Sequence, residues 1–294
     1  MIHDGRIQLV GGSLADLKLP DLAENEVGVP NQLGALNGVL RRAKSEGVFE
    51  DLPPYLAPPG QVMWDDPGVY SWTVPDGVYS ICAVCVGAGA AGIRESRGGK
   101  GGDLRYGNFL QVTPGETLTI IAGAGGKESG SNGGRSGHNS LIRRGSTDLL
   151  VASGGGRLGS STFSPYIGGG NGGMYYRGSG GGAGGYSGDG GRGRLPGTGG
   201  GAGGGGSYYY NRTWGGGGGG VGLMGEGTSG ASGGTSSGAY AGGHGGSGGT
   251  RGSHTRPGNF GGGAGDYTND GGKGGVRIIW GEDRHFPNTN TGDV

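Results

Sequence analysis

Gly215-Gly216-Gly217-Gly218-Gly219-Gly220 is an unbroken run of six glycines, and shorter tracts of the same kind recur at Gly98-Gly99, Gly168 to Gly170, Gly180 to Gly182 and Gly203 to Gly206. They lie between Gly87 and Gly275, and the chain as a whole has 85 Gly in 294 residues. A large part of it therefore has no side chains from which to build an ordinary core. Collagen is excluded, because Gly201-Ala202-Gly203-Gly204-Gly205-Gly206-Ser207 keeps no Gly-X-Y period and the chain has only 13 Pro. Disorder is the other default of such a composition: hydrophobic residues make up 31%, and glycine loses more backbone entropy on ordering than any other residue.

A packed alternative exists. In the polyproline-II conformation the backbone has three residues per turn, no internal hydrogen bonds and every polar group open to the side. Polyglycine in this shape can lie beside copies of itself, each N–H finding a carbonyl on a neighbour. Each bond contributes about 0.5–1.5 kcal/mol net and each Cα–H···O contact about 0.5–1 kcal/mol, against an ordering cost of about 1–2 kcal/mol per residue. Such a bundle must be large and close-packed, with glycine wherever two backbones touch. The expected fold is thus mostly β and irregular: a small β layer, a bundle of packed polyglycine-II helices over 153–275, and one short helix near the N-terminus.

Working outward, residues 1–60 have ordinary glycine content. Leu33, Leu36, Val39, Leu40 and Ala43 fall at helical spacing after Pro30 and a capping Asn31, and Arg41, Arg42 and Lys44 suit a helix C-terminus. The spacing predicts a short amphipathic helix over 31–44, followed by a Pro-rich connector over 51–60. From Gln61 the period becomes that of a strand. Gly68–Val74 and Gly77–Val86 flank Pro75-Asp76-Gly77, a turn signal, and read as a hairpin. Further strands are expected at 109–112, 116–122 after Thr113-Pro114-Gly115, 140–143, 149–152 and 276–280. The last pairs with the earlier ones, so 61–152 with 276–280 form a β base and the glycine-rich stretch is one closed excursion from it. Antiparallel tracts in that excursion would gather alternate connections at one end.

The totals narrow the function. With 23 Lys+Arg against 23 Asp+Glu there is no global field to draw nucleic acid or an acidic membrane. Cys82 and Cys85, three apart on a strand, point to opposite faces and suit neither a disulfide nor zinc, so both read as buried free thiols of a chain made in a reducing cytoplasm. The start Met1-Ile2-His3-Asp4-Gly5 lacks the charged-then-apolar pattern of a signal peptide, and no apolar run reaches membrane-spanning length. Matches to G-x-G-x-x-G arise by chance in such a chain and carry nothing. The five His (His3, His138, His244, His254, His285) are too dispersed for metal ligands, and Asp65-Asp66 and Glu282-Asp283 sit in expected turns. No catalytic residue, metal or cofactor is expected.

The loops between tracts are more informative. Tyr166, Tyr175, Tyr176, Arg177, Tyr208, Tyr209, Tyr210, Trp214, His254 and Arg256, set among Ser, Gly and Asn, match the palette of binding loops, where Tyr and Trp give broad amphipathic contact at small rotamer cost. They read equally as aromatic cover for the flanks of a bundle with no other apolar surface, the role expected of Trp72 and Trp280.

Ser71-Trp72-Thr73-Val74-Pro75-Asp76-Gly77-Val78 running into Val84-Cys85-Val86-Gly87-Ala88-Gly89, then Val112-Thr113-Pro114-Gly115-Glu116-Thr117-Leu118-Thr119, resembles the glycine-rich domain of tail fibre and receptor-binding proteins of tailed bacteriophages. The ending Gly274-Gly275-Val276-Arg277-Ile278-Ile279-Trp280-Gly281, with a tail over 281–294, is similar to the C-terminus of many such chains. The resemblance covers about 61–294 and extends to the polyglycine-II sandwich of T-even-type long-tail-fibre adhesins. It implies a virion tail component whose loops contact a bacterial surface receptor, either a lipopolysaccharide glycan or an outer-membrane protein. Residues 1–60, which do not look like the attachment domain of those adhesins, would then dock onto other tail or baseplate proteins. One copy and a homotrimer both stay open. A structural tail-tip or spacer protein is the alternative, and a glycan depolymerase the third reading, requiring two carboxyl groups in one cleft.

Overall fold

The computed structural model describes residues 57–93, 97–127, 136–156, 167–207, 215–234, 241–254, 256–266 and 270–288, together with the strand backbones between 2 and 51. The strands are β1 (Ile2–His3), β2 (Arg6–Ile7), β3 (Leu33–Leu36), β4 (Val39–Ser45), β5 (Val48–Asp51), β6 (Gly60–Trp64), β7 (Gly68–Thr73), β8 (Ser80–Val86), β9 (Leu104–Gln111), β10 (Thr117–Ala122), β11 (Ser140–Arg144), β12 (Thr147–Ala152), β13 (Ile167–Gly168) and β14 (Gly275–Trp280). There is no helix among the described residues.

The helix expected over 31–44 is replaced by strands: β3 pairs antiparallel with β4, Leu36 opposite Val39, and β4 pairs with β5. The apolar spacing fits a helix, but Gly34 and Gly38 each cost a helix about 1 kcal/mol. The residues between Leu36 and Val39 are Asn37-Gly38, the strongest two-residue hairpin signal.

The base is two antiparallel sheets, one in the order β12-β11-β10-β7 and the other β13-β9-β8-β14-β6. The hairpin expected between 68–74 and 77–86 does not form, because β7 pairs with β10 and β8 with β9 and β14. Pro75-Asp76-Gly77 does turn the chain, with Val78 N–H on Pro75 O at 3.2 Å and Gly77 at φ 77°. It carries the chain from one sheet to the other. Thr113-Pro114-Gly115 makes the same passage between β9 and β10, and the two crossings are bonded side by side, Val74 N–H to Glu116 O and Gly115 N–H to Val74 O, each 2.9 Å.

Between the sheets lies a side-chain core that includes Ile81, Ala83, Cys85, Leu118, Ile120, Ile142, Leu150, Val276 and Ile278. Its rim is aromatic, with Trp72 between Trp64 (6.3 Å between ring centroids) and Trp280 (5.9 Å). The outer face of the five-stranded sheet is buried as well: Cys82, Val84, Val86, Leu104 and Ile279 pack on Ala183, Tyr186, Val221, Leu223 and Phe286. This explains why Ser80-Ile81-Cys82-Ala83-Val84-Cys85-Val86 reads as a continuous apolar run and not an alternation. Cys82 and Cys85, free thiols both, fall in different cores.

Beyond the sheets the strands run on into glycine segments. Val86 leads into 87–93 and Leu104 is entered from 97–103; Gly87 N–H reaches Asp103 O, Ala90 N–H reaches Lys100 O, and Ile93 and Arg97 close the pair with bonds of 2.7 and 3.1 Å. Further out, the segments bond several neighbours at once, chiefly through main chain. Along 180–185 the N–H groups go in turn to the carbonyls of Gly216, Gly99, Gly191, Gly219, Gly102 and Gly188. Along 216–221 they go to Ser207, Ser253, Gly263, Gly204, Thr250 and Phe260. Every third residue thus returns to the same neighbouring segment, whereas a pleated strand serves two neighbours alternately. Glycine is required by the approach itself. A Cβ on Gly204 would overlap Ala231 O, and one on Gly218 would overlap Gly181 O.

Candidate functional site

The bonding register sorts the turns into two ends. At one, Tyr186 and Leu223 enter the second core against the sheet. The other end lies away from the sheets, where the pair 87–93/97–103 closes at Ile93 and Arg97. Gly98 N–H bonds Arg177 O at 2.7 Å, Ser179 Oγ bonds Ser207 O at 2.6 Å, Ser207 N–H bonds Ala241 O at 2.9 Å and Gly217 N–H bonds Ser253 O at 3.0 Å. These links bring the turns around 177, 194 and 254 to a common distal face.

Two of those turns build one cluster. Tyr176 and Ser179 exchange N–H···O bonds of 3.1 and 3.0 Å around the two-residue loop Arg177-Gly178, which sets Arg177 at φ 48°. In the second, Leu195 N–H returns to Arg192 O at 2.7 Å with Arg194 at φ 76°, and Arg194 N–H is anchored on Gly206 O at 2.8 Å. The two turns are adjacent, since Gly193 N–H bonds Met174 O at 2.8 Å. As a result three guanidinium carbons stand over the Tyr176 ring, Arg192 at 5.1 Å, Arg194 at 5.5 Å and Arg177 at 5.9 Å from its centroid. A guanidinium within about 6 Å of a ring centroid is attracted by the ring's quadrupole, so Tyr176 gathers the three arginines at this turn pair.

Beside the cluster, Arg192, Met174 and Leu195 border a flank groove of about 490 Å³ that continues past Asn171 and Asp189. Lys100 is buried against it and stands 3.6 Å from Asp103, itself 3.5 Å from Arg105. Arg105 is held by the carbonyls of Leu104 and Gly170 and by Asn171 Oδ1. This buried charge group fixes the segment 169–174 to 97–105, as Asp103 Oδ1 also accepts the Gly172 N–H.

Of the residues expected in recognition, Tyr175, Tyr176 and Arg177 lie together on the distal face, with Arg177 exposed and both tyrosines half-buried. His254 and Arg256 belong to a separate turn there, in which Ser253 N–H bonds Arg256 O at 2.6 Å; Arg256 is exposed and His254 half-buried. Tyr166, Tyr208, Tyr209, Tyr210 and Trp214 lie outside the described residues. Ser207 and Gly215, which flank 208–214, are at the distal face, Gly215 N–H bonding the Asp266 carboxylate at 2.8 Å, whereas Ile167 after Tyr166 pairs with Gly107 in β9. Arg192 and Arg194 belong with Tyr176, outside the residues that loop composition points to. The sequence signal for them is Arg-Gly-Arg breaking a glycine tract where a reversal is needed. Among the described residues no group of three or more His, Cys, Asp or Glu side chains could hold a metal ion.

Fold and site together define a glycine-rich module: a β base that hands its strands to main-chain-bonded glycine segments and carries turns at their far end. Residues 65–281 match a family described as a glycine-rich domain, and the chain belongs to it. No curated protein matches the chain.

Proposed function

We propose that this chain is a receptor-binding protein of a bacteriophage tail, in which a polyglycine-II bundle displays host-recognition loops. The polyglycine-II reading is supported by lateral hydrogen bonds that return to the same neighbour every third residue, the repeat of a threefold backbone. The recognition reading is supported above all by one observation. The turns carrying Tyr175, Tyr176, Arg177, His254 and Arg256 share the end remote from the β base, the arrangement in which loops vary without disturbing the scaffold. On this reading 1–60 docks onto other tail or baseplate proteins, the chain is part of the virion, and it acts by binding without catalysis.

The test uses labelled full-length protein on whole cells of a bacterial panel. Wild-type protein should decorate a subset of strains, and Tyr209→Ala should fold normally while losing most of that binding. A chain that decorates no strain, or a variant that binds as well as wild type, leaves only a tail spacer.

A further inference from the structure

We propose that the flank groove is a site for a neutral, hydroxyl-rich oligosaccharide, held by Lys100, Asp189 and Arg192 in one lobe and by Tyr106 in the other. The site is apart from the distal turns, and its use in attachment rests on the receptor-binding reading above. The first observation is shape. The lobe of about 490 Å³ beside 171–174 meets a second of about 490 Å³ beside 168–170, and Asp189 and Thr198 border both. An extended backbone advances about 3.1–3.4 Å per residue, so the trough along 168–174 is about 20 Å long. That is the reach of a short chain of sugars, not of one ring. Its walls are fixed by bonds from Gly170 N–H to Gly185 O (2.7 Å) and Gly173 N–H to Gly182 O (2.8 Å). Thr198 Oγ1 ties the shared border, accepting the Asp189 N–H at 2.8 Å and donating to Asp189 O at 3.0 Å.

The second observation is the mixture of polar groups at these walls. The Lys100 side chain is 9% exposed and its Nζ stands 3.6 Å from Asp103, beyond hydrogen-bond reach. A buried ammonium needs acceptors for its three N–H groups, and the lobe it borders is where they can enter. Arg192 brings further donors, exposed at the rim with its guanidinium over Tyr176. Asp189, exposed as well, accepts the Asn171 N–H on Oδ1 at 2.6 Å, and a carboxylate has room for about four such bonds. In the other lobe Tyr106 Oη makes no hydrogen bond with a described residue. Its ring is held by Tyr186 and Phe286, with centroids 5.9 and 6.2 Å away.

Those groups select the chemical class. The first lobe carries both signs, Lys100 and Arg192 against Asp189, with Asp103 behind Lys100. Neither an anion nor a cation finds a uniform field there. A hydroxyl donates and accepts at once. Neighbouring hydroxyls of a sugar therefore serve Asp189 with their hydrogens and Lys100 and Arg192 with their oxygens. Met174 and Leu195, 44% and 55% exposed, give the same lobe an apolar rim for the C–H face of a ring. A few placed polar groups with an apolar border are the usual make-up of a small-molecule site.

Full-length wild type, Asp189→Asn and Tyr106→Phe are applied to immobilised oligosaccharides that are neutral, uronic or phosphorylated, at about 50 and about 300 mM salt. Wild type should be retained on neutral chains, more strongly than on the matching single sugars, and equally at both salt concentrations. Asp189→Asn should weaken retention at least about tenfold, the loss of a charged hydrogen bond, and Tyr106→Phe about two- to tenfold, that of a neutral one. The first substitution leaves an oxygen for the Asn171 N–H and the second removes only a hydroxyl, so both should melt at the wild-type temperature. Should either melt lower, Arg192→Gln, at an exposed position, takes its place. Retention on no neutral oligosaccharide, on charged classes alone, or equally by wild type and variants overturns the proposal. Whole cells test the receptor reading separately. Decoration that neither variant loses keeps that reading and removes the groove from it, whereas array retention with no strain decorated keeps the groove and ends the receptor reading. Failure of both assays ends both.

Discussion

The sandwich and the glycine region solve the same problem with opposite materials. In the sandwich, β8 buries side chains on both faces, and stability comes from apolar contact between Ile120, Ile142, Leu150 and Ile278. In the glycine region the inward-facing groups are N–H and C=O, most of them bonded to another backbone. A side-chain core tolerates exchange of one apolar residue for another of similar size. A main-chain core tolerates nothing added where backbones touch, and depends on the side chains of its turns only at particular places such as Ser179 and Ser247. The first is a base; the second is a platform.

The sharpest way to break this contrast is to add atoms to the platform. Gly204→Val places a branched side chain where a Cβ alone already overlaps Ala231 O. The neighbour is backbone and cannot rotate aside, so the expected loss is beyond about 4–5 kcal/mol, the range reached only when packing fails outright. Soluble yield and a cooperative melt report it. A variant that folds with wild-type stability would mean that the segments do not touch through main chain.

Removing atoms from the base is the reverse operation. Ile120→Ala deletes buried volume between the sheets and should cost about 2–5 kcal/mol, read by denaturant unfolding with the fold retained. The same operation has no meaning at 216–220, where no side chain exists to delete. A smaller effect of opposite sign is expected at the turns. Arg177→Gly and Arg194→Gly each relieve about 1–2 kcal/mol of left-handed strain against about 0.4–1 kcal/mol of added chain entropy, so melting should stay level or rise. A clear fall would show that the arginine side chains hold the turns together.

Much of this was legible in the sequence. The turns Pro75-Asp76-Gly77 and Thr113-Pro114-Gly115 follow from local dihedral preference, and the apolar run at 80–86 identifies a strand buried on both sides. What the strands pair with was not legible. A turn that crosses between sheets has the same residues as one that closes a hairpin, and only long-range contacts such as Leu118 opposite Trp72 decide. At 31–44 the apolar spacing outweighed Asn37-Gly38, which a strand reading would have used as its turn. In the candidate site, the aromatic loops stand out by composition, whereas Arg192 and Arg194 join Tyr176 only through the register of neighbouring glycine segments, which glycine's lack of a side chain leaves unmarked in the sequence.

The smallest effect separates the two regions by their response to acid. Glu116 in the second crossing turn receives both Nε and Nη2 of Arg144 at 2.8 Å and the Thr113 N–H at 2.9 Å. The bond from Arg144 holds its carboxyl below the ordinary glutamate value. A carboxyl lowered on folding contributes stability that is fully present above its unfolded value, about 4.3, and is lost as pH falls through the lower folded one. Arg144 is 43% exposed, so solvent screening limits the pair to less than about 1 kcal/mol. Glu116→Gln should therefore melt slightly below wild type at neutral pH, with the gap closing as pH falls below the unfolded glutamate value and through the lower folded one. A gap that persists in acid would assign the contribution to turn geometry. The lateral bonds made by the N–H groups of 180–185 and 216–221 run from main chain to main chain, so over the same range acid should weaken the Glu116 crossing and leave those contacts unchanged.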